Sequence, residues 1–170
     1  MLNLFLPLLL AGTGHADEAL RSRVVDMLSG MDSAPAAEQW LALGPAAEAE
    51  LGAIASDRAM LPTQRANALV ALSNFPSEEA RGVILATLAT PGEQALLRRK
   101  AVLSLATGWG ASALPQLAPV LADTDPQVRA ATVRAIAGLP NGAGAETLRA
   151  RLTVETDAHV LAELRKAVSL

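Results

Sequence analysis

Asp125-Pro126-Gln127-Val128-Arg129-Ala130-Ala131-Thr132-Val133-Arg134-Ala135-Ile136 decides the fold. Val128, Thr132, Ala135 and Ile136 stand at i, i+4, i+7 and i+8, one face of an α-helix. Asp125 stands where a side chain caps the helix, and Pro126 follows at the first helical position, where a missing N–H costs nothing. The phrase recurs. Val128 falls over Gln64, Leu97 and Val160, in steps of 33, 31 and 32 residues. In the same register Arg129 falls over Arg65, Arg98 and Leu161, Ala135 over Ala71, Ser104 and Ala167, and Ile136 over Leu72, Leu105 and Val168. A fixed period of this length marks stacked helical units, none of which buries its apolar face alone.

Each of these helices is followed by a second apolar stretch. Pro76 to Thr90, Ala111 to Ala122 and Ala143 to Val154 are predicted as second helices, and Pro45 to Asp57 as an earlier one. Gly108, Gly110, Asn141 and Gly142 mark the turns between partners. The expected architecture is all-α: an α-α superhelix of about four helix pairs over residues 17–170, closed by a half repeat, since Val160, Leu164, Ala167 and Val168 have no second helix after them.

The segment Asp125-Pro126-x-Val128-Arg129 with Ala135-Ile136, and the stretch Ala113-Leu114-Pro115-x-Leu117-x-x-Val120-Leu121-x-Asp123, resemble the HEAT-like repeat family, in the short bacterial type also seen in phycobiliprotein lyase proteins. The resemblance is strongest over residues 94–140 and weakest over 17–60. It implies a stack in which a repeated arginine reaches an aspartate of its own or a neighbouring unit. By that resemblance Arg65, Arg98 and Arg129 form a structural ladder, with Asp57, Asp123 and Asp125 as candidate partners. The family's fold says little about task.

Composition agrees with helices and narrows the task. Hydrophobic residues make up 51% of the 170 and charged residues 18%, enough for a buried core. Aromatics are only 2%, so the core is built of Ala, Leu and Val, whose small side chains let helices approach closely. A net charge of −3 argues against a general nucleic-acid binder, which needs a broad basic face. No cysteine is present, which removes disulfides, thiolate metal sites and thiol catalysis.

Met1 to Ala16 carries an apolar run, Leu4 to Ala11, too short to span a bilayer. With small Gly14 and Ala16 before Asp17 it fits a secretory signal peptide, although no Lys or Arg precedes the run. A periplasmic or secreted protein is therefore expected, with no membrane span after cleavage. A retained apolar helix in a cytoplasmic protein is the alternative.

The search for chemistry returns no catalytic, cofactor or metal set. His159 lies in a first helical turn without a partner at ligand spacing. The acidic pairs Glu48/Glu50, Glu78/Glu79 and Asp123/Asp125 read as caps and dipole partners. Arg98-Arg99-Lys100 is the densest basic run, with Arg98 assigned to the ladder and Arg99 and Lys100 to solvent. The expected function is thus a non-catalytic scaffold that binds a protein partner in the cell envelope. The candidate contact residues are Trp109, Trp40, Gln116, Glu78, Arg81 and Arg149. A chromophore-lyase-like or other accessory factor and a purely structural subunit are the alternatives.

Overall fold

A computed structural model describes residues 11–30 and 35–169, with residues 11–17 as backbone alone. It is all-helical, and the described residues include no strand. The α-helices are α1 (Ala11–Ser29), α2 (Ala37–Leu41), α3 (Pro45–Ser56), α4 (Pro62–Leu72), α5 (Glu78–Ala89), α6 (Ala95–Trp109), α7 (Leu114–Leu117), α8 (Pro126–Ala137), α9 (Ala145–Leu152) and α10 (Ala158–Val168).

The repeated phrase forms α4, α6, α8 and α10, and these pack in chain order: α4 on α6, α6 on α8, α8 on α10. Local chemistry starts them. Asp125 Oδ1 accepts from the N–H groups of Gln127 at 2.7 Å and Val128 at 3.4 Å, and Asp157 Oδ1 from those of His159 and Val160, each at 3.0 Å. These bonds satisfy donors that an α-helix leaves unpaired at its start. Pro62 and Pro126 occupy first-turn positions in α4 and α8.

Of the predicted α8 stripe, Val128, Thr132 and Ile136 are buried, Ala135 is half-buried, and Val133 joins the core beside them. Val128, Thr132, Val133 and Ile136 of α8 and Leu97, Ala101, Val102, Ser104 and Leu105 of α6 lie within the core. Each fully buried Leu or Val of this set contributes about 1.5–3 kcal/mol by leaving water. Two buried hydroxyls in the stripe stay satisfied by bonding one turn back: Thr132 Oγ1 donates to the Val128 carbonyl and Ser104 Oγ to that of Lys100, both at 2.8 Å.

The intervening helices are less regular. α3 runs from Pro45 to Ser56 and α5 from Glu78 to Ala89, close to their expected spans, and α5 is capped by Ser77, whose Oγ accepts from the Ala80 N–H at 2.9 Å. The expected helix over Ala111 to Ala122 does not form as one piece. A 3-10 turn at Gly110–Ala113, the four-residue α7 and a 3-10 turn at Ala118–Ala122 replace it. Pro115 and Pro119 are the reason. The Pro119 ring removes an N–H and collides with the carbonyl four residues back, so the α ladder stops there. α9 is likewise short, Ala145 to Leu152, because Asn141 takes a left-handed turn at φ 57° and delays the helix start.

Gly144 lets α9 close onto α8. A β-carbon there would lie 2.0 Å from Ile136 Cγ2. Toward the N-terminus, α1 packs on α3 and α4, and α2 lays Trp40 against α3, 3% exposed. Of the leader assigned to Met1–Ala16, residues 1–10 lie outside the described residues, and α1 crosses the Ala16–Asp17 junction without a break. Among the described residues no helix is long and apolar enough to cross a membrane.

Candidate interaction surface

The repeated arginines are joined to carboxylates, but only one pair is the expected one. Arg98 grips Asp123 with two parallel bonds, Nε to Oδ2 at 2.8 Å and Nη2 to Oδ1 at 2.9 Å. Arg65 instead reaches Glu93, Nη2 to Oε2 at 2.7 Å, while its Nε donates to the Ala55 carbonyl at 3.0 Å. Arg129 grips Glu155 through Nε at 3.0 Å and Nη2 at 2.9 Å. Asp125 is not a partner: its carboxylate is used as the cap of α8. Asp57 is not one either. It accepts from the Ala59 N–H at 2.9 Å and lies 3.7 Å from Arg21.

The three carboxylates hold equivalent places. Glu93, Asp123 and Glu155 each sit in the short link that leads into the next repeated helix. Each takes the arginine of the helix before, and the backbone carbonyls of Glu93 and Asp123 then accept from the next arginine, Arg98 and Arg129 respectively. The same carboxylates accept backbone N–H groups in their own link: Gln94 for Glu93, Asp125 for Asp123, Thr156 and Asp157 for Glu155. The result is a relay in which every link is bound to the helix on either side of it.

Charge follows this geometry. The Glu155 side chain is fully buried and also accepts two bonds from Arg151. The Arg129 hydrogen bond, followed by the N–H groups and Arg151, outweighs burial and holds its carboxyl far below the usual range. At Glu93 burial is the largest influence and pushes the carboxyl up, but Arg65, the Gln94 N–H and the charge of Arg58 together bring it below its ordinary value. Arg98 and Arg129 are raised chiefly by their bonds to Asp123 and Glu155. These carboxylates are saturated with donors, which leaves them as struts and not as free bases.

Four of the predicted contact residues come together. Arg81 of α5 stacks its guanidinium carbon 5.9 Å from the centroid of Trp109, at the end of α6. Its Nη2 donates to Gln116 Oε1 at 3.0 Å and to the Ser112 carbonyl at 3.2 Å, and its Nη1 lies 3.6 Å from Glu78. Glu78 is the outermost member, with a side chain 83% exposed. The cluster thus bridges α5 to the broken segment after α6 and presents a half-buried indole rimmed by polar groups. Arg149 stands exposed on α9, apart from it. Trp40 does not join it, because its ring is buried under α2 and cannot anchor a partner.

The other polar candidates are placed singly. His159 is exposed in the first turn of α10. Glu48 accepts from the Ser77 hydroxyl and Glu50 from Arg21, so that pair faces two different neighbours. Among the described residues no three of His, Cys, Asp and Glu converge on a point that suits a metal ion. Glu93 and Glu155 were missed in the sequence, although a signal existed: an acid stands five residues before Arg98, six before Arg129 and six before Leu161.

No family model, curated protein or solved structure matches the chain.

Proposed function

We propose that this chain is a short HEAT-like solenoid that works as a non-catalytic protein-binding scaffold in the cell envelope. The observation that carries the reading is the relay Arg65–Glu93, Arg98–Asp123, Arg129–Glu155. It uses the repeated charges to fasten one unit to the next, and it leaves function to the surface that does not repeat. The Trp109–Arg81–Gln116–Glu78 cluster is the contact site we favour on that surface, since it sets a partly exposed indole beside an arginine, two residue types enriched at binding hot spots. The apolar run Leu4–Ala11 ahead of Gly14 and Ala16 supports export.

A photo-crosslinking side chain at Gln116, compared with one at exposed Thr107, tests this in intact cells. One envelope protein joined at Gln116 and lost on Trp109→Ala supports the reading. Recovery of chaperones alone at both positions overturns it.

A further inference from the structure

Arg99 and Lys100, assigned to solvent from the sequence, instead line a groove of about 390 Å³ between α6 and α8. Leu96, Leu103 and Ala131 form its apolar floor, and Arg134 stands on the opposite wall. Leu103 is 46% exposed there. Among the described residues neither Arg99 nor Lys100 has a carboxylate partner. Arg99 Nε is buried with no acceptor at all, a costly state for a polar group unless something fills it.

The neighbouring groove differs in how its charge is met. Between α8 and α10 lies a smaller cleft, lined in part by Val133, Arg134, Glu163 and Lys166. There the chain supplies its own anion, with Arg134 Nη1 and Glu163 Oε1 3.0 Å apart. In the repeat register Glu163 falls over Ala131, one 32-residue step earlier. In the same register Arg134 falls over Leu103, so the α6–α8 groove has apolar side chains at both positions of that ion pair, with Arg99 and Lys100 standing beside them. Charge is also uneven along the chain: up to Gly92 there are 10 acidic and 5 basic residues, and from Glu93 onward 7 acidic and 9 basic.

We propose that an acidic amphipathic peptide segment of a partner protein docks in the α6–α8 groove, its carboxylates meeting Arg99 and Lys100 and an apolar side chain resting on Leu103. The volume lies within the range of about 300–1,000 Å³ typical of ligand sites. A helix laid in a groove, with anchors a turn apart, matches a cleft walled by two packed helices. Nucleic acid is disfavoured because two unpaired cations in one cleft do not make the extended basic face that counterion release requires. An anionic membrane would leave the recessed floor between the helices unused. The site shares no residue with the Trp109 cluster and stands or falls separately from it.

The test is fluorescence anisotropy on the whole chain with a labelled helical peptide carrying Glu and Leu one turn apart, beside its Gln-for-Glu counterpart. Saturable binding of the Glu peptide is expected, with the Gln peptide at least roughly tenfold weaker. Ala131→Glu, which fills the groove with its own carboxylate, and the double change Arg99→Gln/Lys100→Gln each weaken binding at least roughly tenfold. Arg165→Gln, outside the groove, leaves it unchanged. Circular dichroism melts verify that each variant is folded. No saturable binding, equal affinity for the Gln peptide, or indifference to Ala131→Glu overturns the proposal. So does tighter binding of anionic phospholipid vesicles or duplex DNA through the same residues.

Discussion

The repeated helices α4, α6, α8 and α10 and the intervening helices α3, α5, α7 and α9 divide the molecule into two unlike sets. Members of the first set run 11, 15, 12 and 11 residues, carry the same apolar face and are tied by the same kind of ion pair. Members of the second run 12, 12, 4 and 8 residues, and one is broken by prolines into 3-10 turns. The difference lies in what constrains each. The inner repeated helices α6 and α8 pack against a copy of themselves on both sides, so any change there must suit two neighbours. An intervening helix has fewer such obligations and tolerates shortening, which is where the Trp109 cluster arises.

The comparison can be broken most forcefully at Glu155. Removing this buried carboxylate, as Glu155→Ala, strands Arg129 and Arg151 and is expected to cost about 3–5 kcal/mol in urea unfolding. A loss under about 1 kcal/mol, the size of a surface pair, would mean the relay does not hold the repeated set together. The same carboxylates give a pH signature. Glu93 and Glu155 ionise in the fold below their unfolded range, so their contribution is complete above about pH 4.3 and fades as pH falls below it. Glu155→Gln should flatten that acid limb in thermal melts taken across the range.

Gly144→Ala comes next, probing where the two sets touch. The new methyl group meets the stiff, branched Ile136 side chain, and overpacking of about 1–3 kcal/mol is expected from denaturant midpoints. A neutral outcome would show that α9 is free to move away from α8. Asp125→Ala removes the cap of α8 and should cost about 1 kcal/mol, while Asp125→Asn retains most of the stability. Had Asp125 been a rung of the relay, the Asn variant would lose nearly as much as the Ala one. The smallest effect belongs to exposed Pro119→Ala in the broken segment: a stability change within about 0.5 kcal/mol, with a small rise in helical circular dichroism.

How far this was legible in the sequence follows the same division. Apolar spacing located the repeated helices because burial enforces it at Val128, Leu97 and their counterparts. Caps such as Asp125 and Asp157 were legible because they act within their own turn. The partners of Arg65 and Arg129 were not, since they lie 28 and 26 residues ahead and are glutamates where the resemblance suggested aspartates. A longer side chain reaches the same guanidinium from a slightly different link. The break in the third intervening helix was written in Pro115 and Pro119, four residues apart. Trp40 illustrates the opposite case, for a lone indole beside short, weakly marked helices gives no sign of which side is covered.

The relay has a consequence for how such a chain can change length. Each arginine and the carboxylate it meets are separated by less than one period, and the Glu93 and Asp123 links also engage the arginine that follows them. A tandem copying of Leu97–Gln127 would therefore bring a complete connector with it: the new Asp123 equivalent would meet the new Arg98 equivalent, and the old junctions would still find their partners. Growth by internal copying needs no matching change elsewhere, so the number of units can change without repair of the junctions.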